Sequence, residues 1–118
     1  MQDVYRISPE IDSLKGLSTV DIIKHYNGWH EGHFELSNGH HTNGYIEKMA
    51  FLENAVAMQE MGQRLAALFQ DKIDQVDVVI GPLQIGATLG YATALEMGKR
   101  WNLRHLNVVE HYERVDNQ

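Results

Sequence analysis

The run from Asp77 to Gly90, DVVIGPLQIGATLG, constrains the fold more than any other stretch of the chain. Asp77, Val78, Val79 and Ile80 form a strand-like run, Gly81-Pro82 ends it, and small residues from Ala87 carry a helix to about Arg100. A second apolar run, Leu106 to Tyr112, completes one strand-helix-strand unit of a parallel sheet, whose crossover is expected to be right-handed. Within the helix Gly86, Gly90, Ala94 and Gly98 fall four apart on one ridge. Small residues at that spacing let a helix lie close to a sheet, at a cost in helix propensity at each glycine. The turn also has chemical meaning. Backbone N–H groups at a helix start are unpaired and the helix dipole favours an anion there, so Gly81 to Gly86 is a candidate phosphate site. Glycines placed purely for backbone geometry account for the same residues.

Upstream, Ser18 to Tyr26 reads as a short helix, capped by Ser18 with Asp21 three residues on and closed by Gly28. HFELSNGHHTNGYIEK, from His33, carries Phe34 and Leu36 in alternation, then Asn38-Gly39, then Tyr45 and Ile46. Asn-Gly between such runs predicts a short hairpin, because both turn residues tolerate positive φ. Asn54 caps a second predicted helix running to about Gln70, and its Met58, Met61, Leu65, Leu68 and Phe69 recur at helical spacing as one core stripe. There is no internal repeat, low-complexity tract or Pro/Ser linker. Residues 1–118 are therefore expected to form a single α/β domain, with 18–50 and 54–118 as its two portions.

Sixteen acids against ten bases leave a net charge of −6, which argues against a nucleic-acid or anionic-membrane partner. With no cysteine, disulfides and thiolate metal sites are excluded. No apolar run approaches the roughly 20 residues of a membrane span, and the Met1–Val4 start lacks a basic, apolar leader, so a cytoplasmic protein is expected.

Two further groups could carry chemistry. His30, His33, His40 and His41 lie within twelve residues, but not at His-Glu-x-x-His spacing and without a supporting carboxylate pattern. His40 and His41 would point to opposite faces of a strand, so surface or substrate-facing histidines are expected and no metal site is assigned. Glu113-Arg114, just after the last strand, stands where open α/β sheets gather ligands, and an arginine there suits phosphate or carboxylate; a solvated charge pair fits equally. No serine or cysteine nucleophile with a partnered base is visible.

Taken in order, these pieces resemble the first half of orotate phosphoribosyltransferase and its type I phosphoribosyltransferase relatives. GHFELSNGHHTNGYIEK (32–48) is similar to the family's Gly-His-Phe-x-Leu-x-Ser-Gly-x-His-Ser-x-x-Tyr stretch, and VDVVIGPLQIGA (76–87) to its Val-Asp-x-Val-x-Gly-Pro-x-x-Gly-Gly turn. HYERVDNQ (111–118) resembles the start of the segment carrying its Glu-Arg pair. The resemblance implies a partial type I phosphoribosyltransferase-like parallel sheet with flanking helices and an N-terminal hood hairpin. It places Phe34, Asn38, Gly39, His41 and Tyr45 in a hood over a pyrimidine base, and Gly81, Gln84 and Gly86 at a pyrophosphate turn, with Arg114 adding charge. The family's reaction transfers ribose 5-phosphate from phosphoribosyl pyrophosphate, with magnesium, to a base. Three departures count against an intact enzyme. Ile85 replaces the first Gly of the Gly-Gly pair, and neither the ribose-phosphate loop, two acids before Thr-Thr-Gly, nor the catalytic lysine loop occurs in the 118 residues. A truncated or diverged member, inactive alone and acting as a homodimer or with a chain supplying the missing half, is the expectation. A non-catalytic anion-binding or assembly module is the alternative.

Overall fold

A computed structural model describes residues 13–82 and 85–111, with the backbone alone at Ile85. The predicted residues Gln84, Glu113 and Arg114 lie outside this range, as does Tyr112 at the end of the last predicted strand. The chain divides into two compact units, Met1–Phe51 and Leu52–Gln118.

The first unit contains helix α1 (Thr19–His25) and the antiparallel strands β1 (Trp29–Glu35) and β2 (His41–Ile46). Ser18 caps α1 as predicted, its hydroxyl accepting from the Asp21 amide at 3.0 Å. The exit differs from the reading that Gly28 closes the helix. Asn27, at φ 61°, takes the left-handed position, and the Gly28 amide donates back to the Ile23 carbonyl at 2.8 Å, the six-to-one bond of a Schellman ending. Gly28 is small for another reason. A Cβ there would lie 3.1 Å from both Ile23 and Phe51 side chains and 3.2 Å from the Glu47 carbonyl oxygen. Ile22 and Ile23 of α1 are buried beneath this corner.

The predicted hairpin forms, and its turn uses the left-handed region at one residue. Only Gly39 has positive φ, at 88°, and Asn38 does not. The Leu36 amide donates to the His40 carbonyl at 2.7 Å and the Gly39 amide to the Leu36 carbonyl at 2.9 Å, enclosing the three-residue loop Ser37-Asn38-Gly39. The Asn38 carboxamide accepts from the His40 amide at 3.0 Å, which explains why asparagine serves there without a left-handed backbone.

The second unit is built on α3 (Ala55–Leu68), a 3-10 segment (Gln70–Gln75), β3 (Val78–Pro82), α4 (Ile85–Trp101) and β4 (Asn107–His111); a short helix α2 (Lys48–Leu52) precedes α3. Neither α2 nor the 3-10 segment is legible as periodicity. Asn54 caps α3 as predicted, accepting from the Ala57 amide at 2.9 Å. Met58 and Met61 are buried, but the predicted core stripe stops short, since Leu68 is 77% exposed and Phe69 46%. Burial on α3 follows the small residues Ala57, Gly62 and Ala66 because α4 approaches there: a Cβ on Gly62 would sit 2.8 Å from the Ala92 backbone. Glu60 is buried on the same helix and accepts from Arg64 Nε at 2.8 Å.

β3 and β4 pair in parallel, Val78 with Asn107 through Pro82 with His111, as the strand-helix-strand reading requires. α4 begins at Ile85, two residues earlier than predicted, so Gly86 belongs to its first turn. Gly90 lies over the strand, with an added Cβ 3.4 Å from Gly81 Cα and 3.8 Å from Val79 Cγ1, and Ala94 is buried on the same ridge. Gly98 serves the helix exit instead: the Leu103 amide donates to its carbonyl at 3.1 Å, around Asn102 at φ 55°.

Candidate functional site

In the first unit the hairpin carries all five predicted hood residues. The register runs from Trp29 opposite Ile46 to Glu31 opposite Gly44, then from Phe34 opposite Thr42 to Glu35 opposite His41. Gly32 and His33 therefore face Asn43 alone, forming a β-bulge that re-aims the side chains around it. Phe34 and Tyr45 have ring centroids 5.7 Å apart and planes tilted by 37°, an arrangement that presents apolar ring surface. Phe34 is half-buried, while Tyr45 is 46% exposed. Asn38 and Gly39 occupy the exposed turn, and His41 meets His33, with Nε2 of His33 and Nδ1 of His41 2.6 Å apart. His30 pairs with Glu47 at 3.0 Å. Sequence spacing does not reveal either histidine contact, because both depend on cross-strand register and on the bulge.

In the second unit the predicted anion turn brings backbone against backbone. A Cβ on Gly81 would run into the Gly86 carbonyl oxygen, 2.8 Å from the Gly86 carbonyl carbon and 2.9 Å from Ala87 Cα. A Cβ on Gly86 would run into the Pro82 ring. Gly81 is buried one residue before the end of β3 and lies against the first turn of α4, so both glycines are required by this close approach. The amides available to an anion are those of the turn starting at Ile85, not at Ala87. Gln84 and Arg114 lie outside the described residues, and so does the side chain of Ile85.

Among the described residues β3 pairs with β4 alone, leaving its other edge open. A cleft of about 740 Å³ is lined by Leu65 and Phe69, by Val78 and Ile80 of β3, and by Leu89 and Met97 of α4 among others, with no residue from β4. Ile80 is 60% exposed. No group of three or more His, Asp or Glu side chains among the described residues converges as a metal cluster, and no described helix is long and apolar enough to cross a membrane.

A glycine-closed strand-turn-helix-strand unit, in one chain with an antiparallel hairpin upstream, defines a partial fold of the type I phosphoribosyltransferase class. The orotate phosphoribosyltransferase of Francisella tularensis superposes with a TM-score of 0.61 over 77% of this chain and 45% of that one, at 14% identity. That of Aeropyrum pernix does so with a TM-score of 0.60 over 82% and 53%, at 20% identity. At these identities the likeness establishes the fold. In sequence the chain is similar to curated orotate phosphoribosyltransferases. It is 32% identical over 81 residues to that of Heliobacterium modesticaldum, covering 69% of this chain and 42% of the relative. It is 37% identical over 70 residues to that of a Methylobacterium species, covering 59% and 36%. The chain thus spans about two fifths of the length of the curated relatives it matches. No protein-family model matches.

Proposed function

We propose that these 118 residues supply the base hood and pyrophosphate turn of an orotate phosphoribosyltransferase-like site and do not turn over substrate by themselves. The observation that carries this is the 32% identity to a curated orotate phosphoribosyltransferase over 69% of the chain. In this reading Phe34 and Tyr45 offer ring surface to the pyrimidine, and Asn38, Gly39 and His41 frame its edge. The amides after Gly81 and within the turn holding Gln84 and Gly86 take the pyrophosphate of phosphoribosyl pyrophosphate, and Arg114 adds positive charge. Magnesium arrives complexed to that pyrophosphate, as part of the substrate. The complete reaction moves ribose 5-phosphate onto orotate and releases pyrophosphate, a step of pyrimidine nucleotide synthesis. Such catalysis rests on positioning and charge stabilisation, so a site lacking its ribose-phosphate grip loses most of the rate. Orotate and phosphoribosyl pyrophosphate incubated with the purified chain are expected to give no nucleotide above background. Steady turnover would overturn the inactivity and leave the family reading standing.

The turn is expected to hold pyrophosphate weakly, at millimolar affinity or about 4 kcal/mol. Amide shifts of residues 81–88 during a pyrophosphate titration check this. Ile85→Gly, which restores the family's residue, is expected to tighten binding, and Gly86→Leu to abolish it. Unmoved amides in both the wild type and Ile85→Gly would reduce the turn to a geometric device and favour the assembly-module reading.

We further propose a cytoplasmic homodimer, or a complex in which another chain supplies the remaining elements, with no nucleic acid or membrane involved. The open β3 edge and the exposed Val78, Ile80, Val108 and Val109 support it, since strand edges with apolar flanks are ordinarily covered. Sedimentation at micromolar concentration is expected to show a species heavier than one 13.5 kDa chain; a stable, folded monomer would sink the proposal.

A further inference from the structure

We infer that His33 and His41 form a two-imidazole chelate for a borderline divalent transition metal, with zinc as the ion to test. The two rings come from adjacent strands, and their facing nitrogens, His33 Nε2 and His41 Nδ1, stand 2.6 Å apart. Ring centroids are 4.7 Å apart at an interplanar angle of 68°. The backbone fixes this meeting. His41 is opposite Glu35, and His33 lies two residues before Glu35 as the second residue of the bulge facing Asn43. Both side chains are exposed, so an ion reaches them without opening the fold.

As an N–H···N hydrogen bond the pair uses one ring as donor and the other as acceptor. Metal binding requires only that the donor ring move its proton to its other nitrogen. Both facing nitrogens then present lone pairs to the ion, the proton having moved within the donor ring. With metal–nitrogen bonds of about 2.0–2.1 Å, two ligands on one ion sit about 2.9 Å apart at a right angle and about 3.3 Å apart at a tetrahedral angle. The rings must separate by less than an ångström, which exposed side chains achieve by small torsional changes. Imidazole selects zinc, nickel and copper over magnesium and calcium, whose preferred ligands are oxygens. The site is thus chemically distinct from any magnesium carried by a phosphorylated substrate. No third side chain converges with the pair among the described residues, so water completes the coordination and the ion remains open to an external ligand.

The test is a zinc titration of the full 118-residue chain, followed through the imidazole nitrogen and proton resonances and, in parallel, by competition with a chromophoric zinc indicator. The resonances of His33 and His41 are expected to move together and saturate at one zinc per chain, while those of His30 and His40 stay within their apo linewidths. Millimolar magnesium is expected to move neither. His33→Gln and His41→Gln should each weaken zinc at least tenfold, because each removes one arm of the chelate, whereas His40→Gln should leave the affinity within twofold. Backbone amides of β1 and β2 recorded without zinc show whether each variant keeps the hairpin. Wild-type resonances of His33 and His41 that fail to move together at one equivalent would overturn the chelate, as would a His33→Gln variant with an intact hairpin and wild-type affinity.

Discussion

Gly81→Val is expected to destabilise the chain by about 3 kcal/mol or more, although valine is among the best residues for a strand. Local preference and packing predict opposite signs here. β-propensity favours valine over glycine by up to about 1 kcal/mol at an ordinary strand position. Against that, the first side-chain carbon would have to share space with the Gly86 carbonyl oxygen and stand 2.9 Å from Ala87 Cα. These are backbone atoms of a helix start and cannot swing aside as the tip of a flexible side chain would. Relief requires α4 to shift on β3, which also disturbs Gly90 where it lies over the strand. Overpacking of this kind costs about 1–3 kcal/mol where side chains can adapt, and more where they cannot. Urea unfolding followed by far-ultraviolet circular dichroism reads the change, and a midpoint at or above wild type would show that strand and helix start are farther apart than described.

Gly62→Leu is expected to cost about 3 kcal/mol, which lowers the melting temperature by on the order of 10 °C. The competing expectation is again a gain, because a mid-helix glycine is about 1 kcal/mol worse than a good helix former. Packing decides it: a Cβ at position 62 would lie 2.8 Å from both the carbonyl carbon and oxygen of Ala92 and 3.0 Å from its Cβ. A leucine adds three more carbons along that direction and forces α3 away from α4, exposing the buried Met58 and Met61. Gly16→Ala is the matched control, since nothing lies within 4 Å of its added Cβ, and it should leave the melting temperature within a few degrees. A Gly62→Leu protein that melts with the wild type would mean the two helices do not meet at Ala92.

The features legible in the sequence are those decided within a few residues. Ser18 and Asn54 cap their helices because a side-chain oxygen and an amide three residues away suffice. The strand-helix-strand unit was legible for a similar reason, its turn being punctuated by glycine and proline. Gly28 was misread because composition shows a glycine near a helix end but not whether dihedral freedom or crowding put it there; Asn27 supplies the first, and Ile23 and Phe51 impose the second. Leu68 and Phe69 continue the apolar period of α3, yet periodicity says only which face they share, and the helix that buries that face meets it farther upstream. The candidate site divides along the same line. Phe34, Asn38, Gly39, His41 and Tyr45 are named through a resemblance to a known family's motif, and the residues alone assign them no role. The meeting of His33 with His41 is not legible, because a bulge changes which side chains are neighbours and leaves no mark in single-sequence spacing.

The two strand pairings differ in how far the chain must search to make them. Glu35 finds His41 six positions away, whereas Val78 finds Asn107 twenty-nine positions away. Loop-closure entropy grows with the logarithm of that separation, so the parallel pair starts with a handicap of about 1.4 kcal/mol, a tenfold lower chance of encounter in the unfolded chain. α4 offsets it, since a helix spanning Ile85–Trp101 turns most of the intervening loop into a rigid spacer and delivers β4 to β3 as a near neighbour. On loop-closure entropy alone the hairpin is the easier pairing to make, and the sheet that carries the glycine turn depends on its helix to bring its strands together.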